Sequence, residues 1–366
     1  MALWALTSRL LRTSLRSRMA AATAILFGVG LVLVLWLGTR ETHAAGVLLL
    51  GGLALVAFLV TGASVGAGSV LPEDRIAGRE EWLSTLAPPA WQRRLAAVLA
   101  GWGLATALGL VGGLLVGALA LALRPDVTFH RQATLAVPEQ HISRGPDRPV
   151  QLPLDGRAGM VEVDVRPRFD FYRRGQPVDR IDLRWRAGTV GGEREIPARG
   201  AVRLDVPAGA TTLELSSLTE HVQVRVVGAR RLTGTASALT VLGWSGLLLG
   251  LLAGAAAPIA VLVSRRTTAQ TAAAAAFSLL LLGAARGTLL ELAGQVDPEG
   301  WMRVAPALLQ SLAWVAPDVA IFPVFEEVVA GRLPTVTPGT ALLYTAIAAA
   351  LACLPTPRPF RQGVNT

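Results

Sequence analysis

Ala20–Gly38 passes without a single charged residue, and so do Ala44–Gly68, Leu95–Leu123 and Ala236–Val263. A run of about 18 or more apolar residues is long enough to cross the ~30 Å hydrocarbon core of a bilayer as a helix. Inside lipid only a helix or a closed barrel satisfies its own backbone. Two further runs, Ala269 to about Arg286 and Val336–Leu354, read the same way. The chain is 52% hydrophobic and 16% charged, against about 25% charged residues in soluble domains. A mainly α, polytopic membrane protein with about six transmembrane helices is expected.

Between the third and fourth runs the pattern changes period. Met160–Val165, Arg180–Trp185 and Val222–Val226 alternate apolar and polar residues, and Ala201–Val206 and Thr211–Leu215 add two more segments. Clusters of Gly, Pro and Asp separate them, as in a small antiparallel β-sandwich. At roughly 105 residues the segment is long enough for one core. The expected organisation is therefore an inserted extracytoplasmic β-rich domain at 124–234. Before it, residues 1–123 hold an interfacial helix and three spans. After it, residues 235–366 hold three more spans.

All 34 basic residues are arginine, and the formal net charge is +9. Without lysine the chain can form neither a Schiff-base site nor a Gly-x4-Gly-Lys-Ser/Thr phosphate loop. The arginines are scattered and no nucleic-acid motif accompanies them, which argues against nucleic acid as a partner. They order the topology instead. Arg9, Arg12, Arg16 and Arg18, then Arg75 to Arg94, Arg265, Arg266, Arg358 and Arg361 fall on one side if the N-terminus is cytoplasmic, whereas the first outer link holds only Arg40. Both termini are expected in the cytoplasm. Arg9, Arg12 and Arg16 share a face of a short amphipathic helix that can lie in the interface. The N-terminal apolar run is too long for a cleavable signal. The single cysteine, Cys353, rules out an intramolecular disulfide and a thiol cluster.

Gly109, Gly113 and Gly117 repeat every fourth residue, as do Gly246, Gly250 and Gly254. Such rows mark faces where helices pack closely. Gly62-Ala63-Ser64-Val65-Gly66 matches the nucleophile-elbow pattern, but it lies in an apolar helix with no histidine in any span; helix packing explains it better than a hydrolase. His43, His130, His141 and His221 match no ligand spacing. Residues 287–335 are apolar but broken by prolines, and read as interfacial or re-entrant helices, with a seventh span as the competing reading. Within them Asp318, Glu326 and Glu327 are ionisable groups in an apolar setting. They either line the outer exit of a transport path or cap interfacial helices near headgroups, the plainer reading.

The charged segment from Leu71 to Pro89 carries Trp82, Leu83 and Leu86 as one apolar stripe. Glu73, Arg75, Gly78, Glu81, Leu83, Leu86, Pro88, Arg93 and Gly101 resemble the cytoplasmic loop of ABC-2 type transporter permeases. Ala316-Pro317-Asp318-Val319-Ala320-Ile321-Phe322, with Gly331, Tyr344 and the closing Phe360-Arg361, is similar to permeases of the multicopper-enzyme-maturation kind. The resemblance covers most of the membrane part and none of the β domain. Trp102 follows Gly101 where many relatives have lysine, so no role carries over to that position.

The resemblance implies a permease subunit of an exporter in the cell (inner) membrane. In that family the loop at 72–88 is a coupling helix docking on a separate ABC ATP-binding subunit, here through Gly78, Glu81, Trp82, Leu83 and Leu86. It also implies a homodimer or a sister permease. ATP is bound by the partner; no cofactor, metal or catalytic residue is expected in this chain, which is not itself an enzyme. The alternative is a non-transporting membrane scaffold or sensor whose β domain binds an envelope partner.

Overall fold

The computed structural model describes residues 2–15, 18–38, 44–76, 89–123, 125, 127–137, 149–169, 180–197, 200–219, 222–265, 267–295, 304–315 and 321–354. Two compact units emerge: Met1–Phe129 with Ser237–Thr366, and His130–Ala236.

The first unit is helical: α1 (Ala2–Leu15), α2 (Arg18–Gly38), α3 (Ala44–Ile76), α4 (Ala90–Leu123), α5 (Ala238–Ala253), α6 (Ala256–Ser264), α7 (Ala269–Ala284), α8 (Arg286–Gln295), α9 (Val304–Val315), α10 (Ile321–Val329) and α11 (Gly339–Cys353). Among the described residues three stretches are long and apolar enough to cross a membrane: Leu48–Gly66, Ala90–Leu123 and Ala238–Ser264. That is fewer than the six expected. The fifth apolar run is held by α7, which stops at Ala284 after 16 residues. The last run becomes helical only at Gly339, past Pro334 and Pro338, and holds 15 residues. At 1.5 Å per residue that is about 22 Å, short of the ~30 Å core. Within α2, a helix of 21 residues, Thr23–Trp36 adds a further apolar segment. Ile25, Val32, Val111 and Leu343 are each more than 60% exposed. Large apolar side chains set outward on several helices suit a lipid surround rather than water.

The α3 helix runs on to Ile76, past the expected span end at Gly68. Residues 72–76, expected to open a separate coupling helix, thus continue α3, since Glu and Arg are good helix formers. Pro89 stands just before α4, its carbonyl accepting from the Gln92 amide at 3.0 Å.

Helices α4 and α5 pack on their glycine rows. A Cβ on Gly113 would strike the Leu242 carbonyl oxygen, and one on Gly250 would lie 2.6 Å from the Ala105 oxygen and 2.7 Å from the Thr106 Cα. Further along, a Cβ on Gly117 would sit 3.1 Å from the Leu239 Cα. Removing side chains lets the two backbones touch, which in lipid replaces the absent hydrophobic drive with dispersion contacts.

The second unit has eight strands among its described residues: β1 (Phe129–Leu135), β2 (Val150–Pro153), β3 (Gly159–Phe169), β4 (Arg180–Ala187), β5 (Val190–Pro197), β6 (Gly200–Val206), β7 (Thr212–Ser217) and β8 (Val222–Ala236). They form two antiparallel four-stranded sheets, ordered β1-β8-β3-β6 and β2-β7-β4-β5. Val161, Val163 and Val165 from one sheet and Ile181, Leu183, Leu213 and Leu215 from the other share one core. The alternation seen in the sequence is therefore the pleat of a sandwich. On the outer face of the first sheet, buried Glu162 lies opposite Arg203 in register and accepts from its Nε at 2.8 Å. Gly188, at φ +61°, opens the two-residue turn between β4 and β5, a left-handed position that suits glycine.

Candidate functional site

Gly78, Glu81, Trp82, Leu83 and Leu86, expected to couple to an ATPase, lie outside the described residues, and so does Asp318. Glu326 and Glu327 both lie on α10 and face different surroundings, as neighbours about 100° apart on a helix must. Glu326 is exposed, whereas Glu327 is buried. Glu327 Oε2 accepts from the Thr335 amide at 2.8 Å, and Oε1 from the Thr335 hydroxyl at 3.1 Å. The chain folds back to allow this. Gly331 at φ +72° ends α10 with a Schellman turn: the Arg332 amide donates to the Glu327 carbonyl at 2.8 Å, and the Gly331 amide to the Val328 carbonyl at 2.9 Å. Trp244 Nε1 on α5 then donates to the Pro334 carbonyl at 3.2 Å. Glu327 thus pins a return loop that is tied to α5.

A second constellation was not anticipated. Pro258 has no amide hydrogen to give the carbonyl four residues back, at Gly254, and its ring crowds that carbonyl. The span breaks there: α5 ends at Ala253 and α6 starts at Ala256. Around the break the Ala255 amide donates to Leu252 at 3.2 Å and the Ala257 amide to Gly254 at 3.0 Å, the i to i−3 pattern of a tightened turn. The Leu251 carbonyl receives Trp102 Nε1 from α4 at 3.4 Å. The Gly254 carbonyl also receives buried Ser64 Oγ from α3 at 3.2 Å. Gly254 carries no side chain because the Trp102 indole lies against it, its Nε1 2.8 Å from where a Cβ would be. The Ser64 of the elbow-like pattern is thus a donor to a kink. Trp102 holds the kink from the other side. The one local signal was Pro258 inside a charge-free run.

A third cluster lies at the arginine-bearing end. Arg94, near the start of α4, donates through Nη1 to the Leu354 carbonyl at 3.0 Å. Arg265, following α6, donates to Leu351 at 3.1 Å and to Leu354 at 2.9 Å. Two guanidinium groups thus cap the C-terminal carbonyls of α11, where the helix dipole favours positive charge. Ala97, Val98, Val261 and Ala352 form a small buried cluster under this clamp, and Leu10 of α1 packs on it. The first residues of α4 and the last of α6 and α11 are therefore gathered at one end of the helical unit. At the other end of α4, Gly117 abuts Leu239, where the chain leaves the unit for the insertion and re-enters it.

No protein-family model, no curated protein and no solved structure matches this chain.

Proposed function

We propose that this chain is the permease subunit of an ABC-type exporter, driven by a separate ATP-binding subunit on the cytoplasmic side. In this reading it crosses the membrane six times, with the shorter apolar helices α2, α7 and α11 completing the set, both termini inside and a second copy or sister permease beside it. The observation that carries it is positional. Residues 77–88, which hold most of the residues matching the coupling loop, join the end of α3 to the start of α4. Arg94 begins the clamp on α11 one turn further on. A push on 77–88 would reach α4 directly, then α11 through Arg94, and α5 through the glycine seam and Trp102. Glu327, buried and bonded twice by Thr335, fits a structural role better than the lining of an exit, which is left to Asp318 and Glu326.

The test uses a Cys353→Ser background carrying Trp82→Cys in intact cells and in purified membranes. The proposal expects labelling by a membrane-impermeant maleimide only when the cytoplasmic face is open, and crosslinking to a co-purifying ATPase in a nucleotide-dependent way. Labelling from outside the cell would overturn it. Cytoplasmic labelling with no ATPase captured would turn the reading to a scaffold or sensor, served by the self-contained β unit.

A further inference from the structure

The apolar stretch Ala238–Ser264 is built in two halves that are held in different ways. The first half, α5, meets α4 backbone to backbone, from Leu239 against Gly117 to Gly250 against Ala105 and Thr106. Sliding α5 along this seam would drive a side chain into backbone, so the two helices form a fixed frame. The seam stops at the break. At Gly254 the facing group is no longer backbone, because the Trp102 indole stands there. Beyond it α6 meets α4 through side chains, Val261 lying with Ala97, Val98 and the α11 residue Ala352. The same half also packs on α3, α7 and α11. Packed side chains can shear by small adjustments, which interdigitated backbones cannot. The turn between the halves lacks regular bonding, because Pro258 has no amide hydrogen for Gly254. Donors from two other helices serve it instead: Ser64 of α3 bonds the Gly254 carbonyl, and Trp102 of α4 bonds the Leu251 carbonyl. Those two helices flank residues 77–88. At the far end of α6, Arg265 grips the Leu351 and Leu354 carbonyls of α11.

We propose that the turn at Gly254–Ala255 is a hinge: α6 swings against the fixed pair α4–α5 and carries α11 with it through Arg265, while the Ser64 and Trp102 bonds to the turn are made in one of its two positions. Hinges absorb a change of shape in a few residues at the end of an element. Here Gly254-Ala255-Ala256-Ala257-Pro258 offers the turn small side chains as far as the proline. The swing opens or closes the end of the bundle at which Arg94 and Arg265 stand, because the half on the other side of the turn is tied to the seam. Ser64 and Trp102 form a two-point catch. One of their helices enters residues 77–88 and the other leaves them, so moving that segment shifts both donors against the turn. Only the source of that push rests on the exporter reading; the hinge does not.

The full-length protein in nanodiscs, in a Cys353→Ser background, carries spin labels at Leu239→Cys on α5 and Leu351→Cys on α11, a pair across the hinge. A second protein carries them at Leu239→Cys and Leu99→Cys on α4, a pair within the fixed frame. All three leucines are exposed. Double electron–electron resonance reads the separations. The proposal expects two separations across the hinge. Ser64→Ala with Trp102→Phe should move their ratio about sevenfold toward the second, since two bonds of average strength for membrane helices are lost from the first position. Pro258→Ala, which restores an amide for the Gly254 carbonyl, should leave a single separation. The frame pair should keep one separation in every protein, which also reports that the variants fold. A hinge pair that is the same in parent, double variant and Pro258→Ala would overturn the proposal. So would a frame pair that shifts with it, since the whole bundle would then be deforming. Failure here leaves Trp82→Cys free to label from the cytoplasm and to capture an ATPase, and failure there leaves the hinge standing.

Discussion

Gly109 and Gly246 meet backbone to backbone: a Cβ added to either would collide with the carbonyl oxygen of the other. The contact is reciprocal, so neither helix can yield by moving a side chain. Gly109→Ala or Gly246→Ala should force α4 and α5 apart, and overpacking of this kind costs about 1–3 kcal/mol. Gly103, on the same helix α4, has nothing within 4 Å of its would-be Cβ. Gly103→Ala should leave stability unchanged or raise it slightly, since alanine is the better helix former. Thermal unfolding in one detergent compares the three. Equal midpoints for Gly109→Ala and Gly103→Ala would refute the seam.

That seam was legible because a glycine every fourth residue is itself a statement about what the helix touches. The strands were legible for a similar reason: Met160–Val165, Arg180–Trp185 and Val222–Val226 fall inside β3, β4 and β8, where alternation is the pleat. The end of α7 was legible as well, since the apolar run was expected to stop at about Arg286 and the helix stops at Ala284. The joint at Gly254 was half legible. Pro258 announces a kink, but Trp102 and Ser64 lie far away in sequence, and no local pattern says which side chains will take the carbonyls at the break. The clamp on α11 was hidden for the same reason: Arg94 and Arg265 read as topology markers, and only the fold brings both to Leu354.

The joint makes a prediction about coupling between residues. Ser64→Ala removes a hydrogen bond to a buried carbonyl, a loss of about 0.6 kcal/mol on the average for such bonds in membranes. Pro258→Ala supplies an amide that can bond Gly254 in the regular helical way. In that background the Ser64 hydroxyl is redundant, so Ser64→Ala should cost less than in the parent. A double-mutant cycle of unfolding free energies reads the difference directly. Strict additivity would mean that Ser64 does not serve the kink.

The arginine clamp can be followed with the native thiol. Cys353 stands at the end of α11, its Sγ 3.7 Å from the Trp91 carbonyl oxygen, between the carbonyls that Arg94 and Arg265 hold. Arg94→Gln with Arg265→Gln removes both charges from the helix C-terminus, where each is worth about 0.3–1 kcal/mol. The last turn of α11 should fray, and alkylation of Cys353, compared at equal thiolate fraction because the thiolate is the reacting species, should accelerate several-fold. As the only cysteine in the chain, it needs no background substitution. An unchanged alkylation rate would show that the carbonyls do not depend on the clamp.

The adjacent acids Glu326 and Glu327 separate exposure from burial on one helix. Glu326→Ala removes an exposed carboxylate, and surface changes of this kind stay within about 0.5 kcal/mol. Glu327→Ala leaves the Thr335 amide and hydroxyl without their acceptor in a partly buried loop, which costs about 1–3 kcal/mol. It should also loosen the Trp244 bond to Pro334, because Thr335 follows Pro334 directly. Glu327→Gln keeps one carbonyl oxygen as acceptor and should fall between the two. Unfolding midpoints give the ranking, and hydrogen exchange at Thr335 gives the site. A Glu326→Ala variant less stable than Glu327→Ala would mean that the return loop is not held by Glu327 at all.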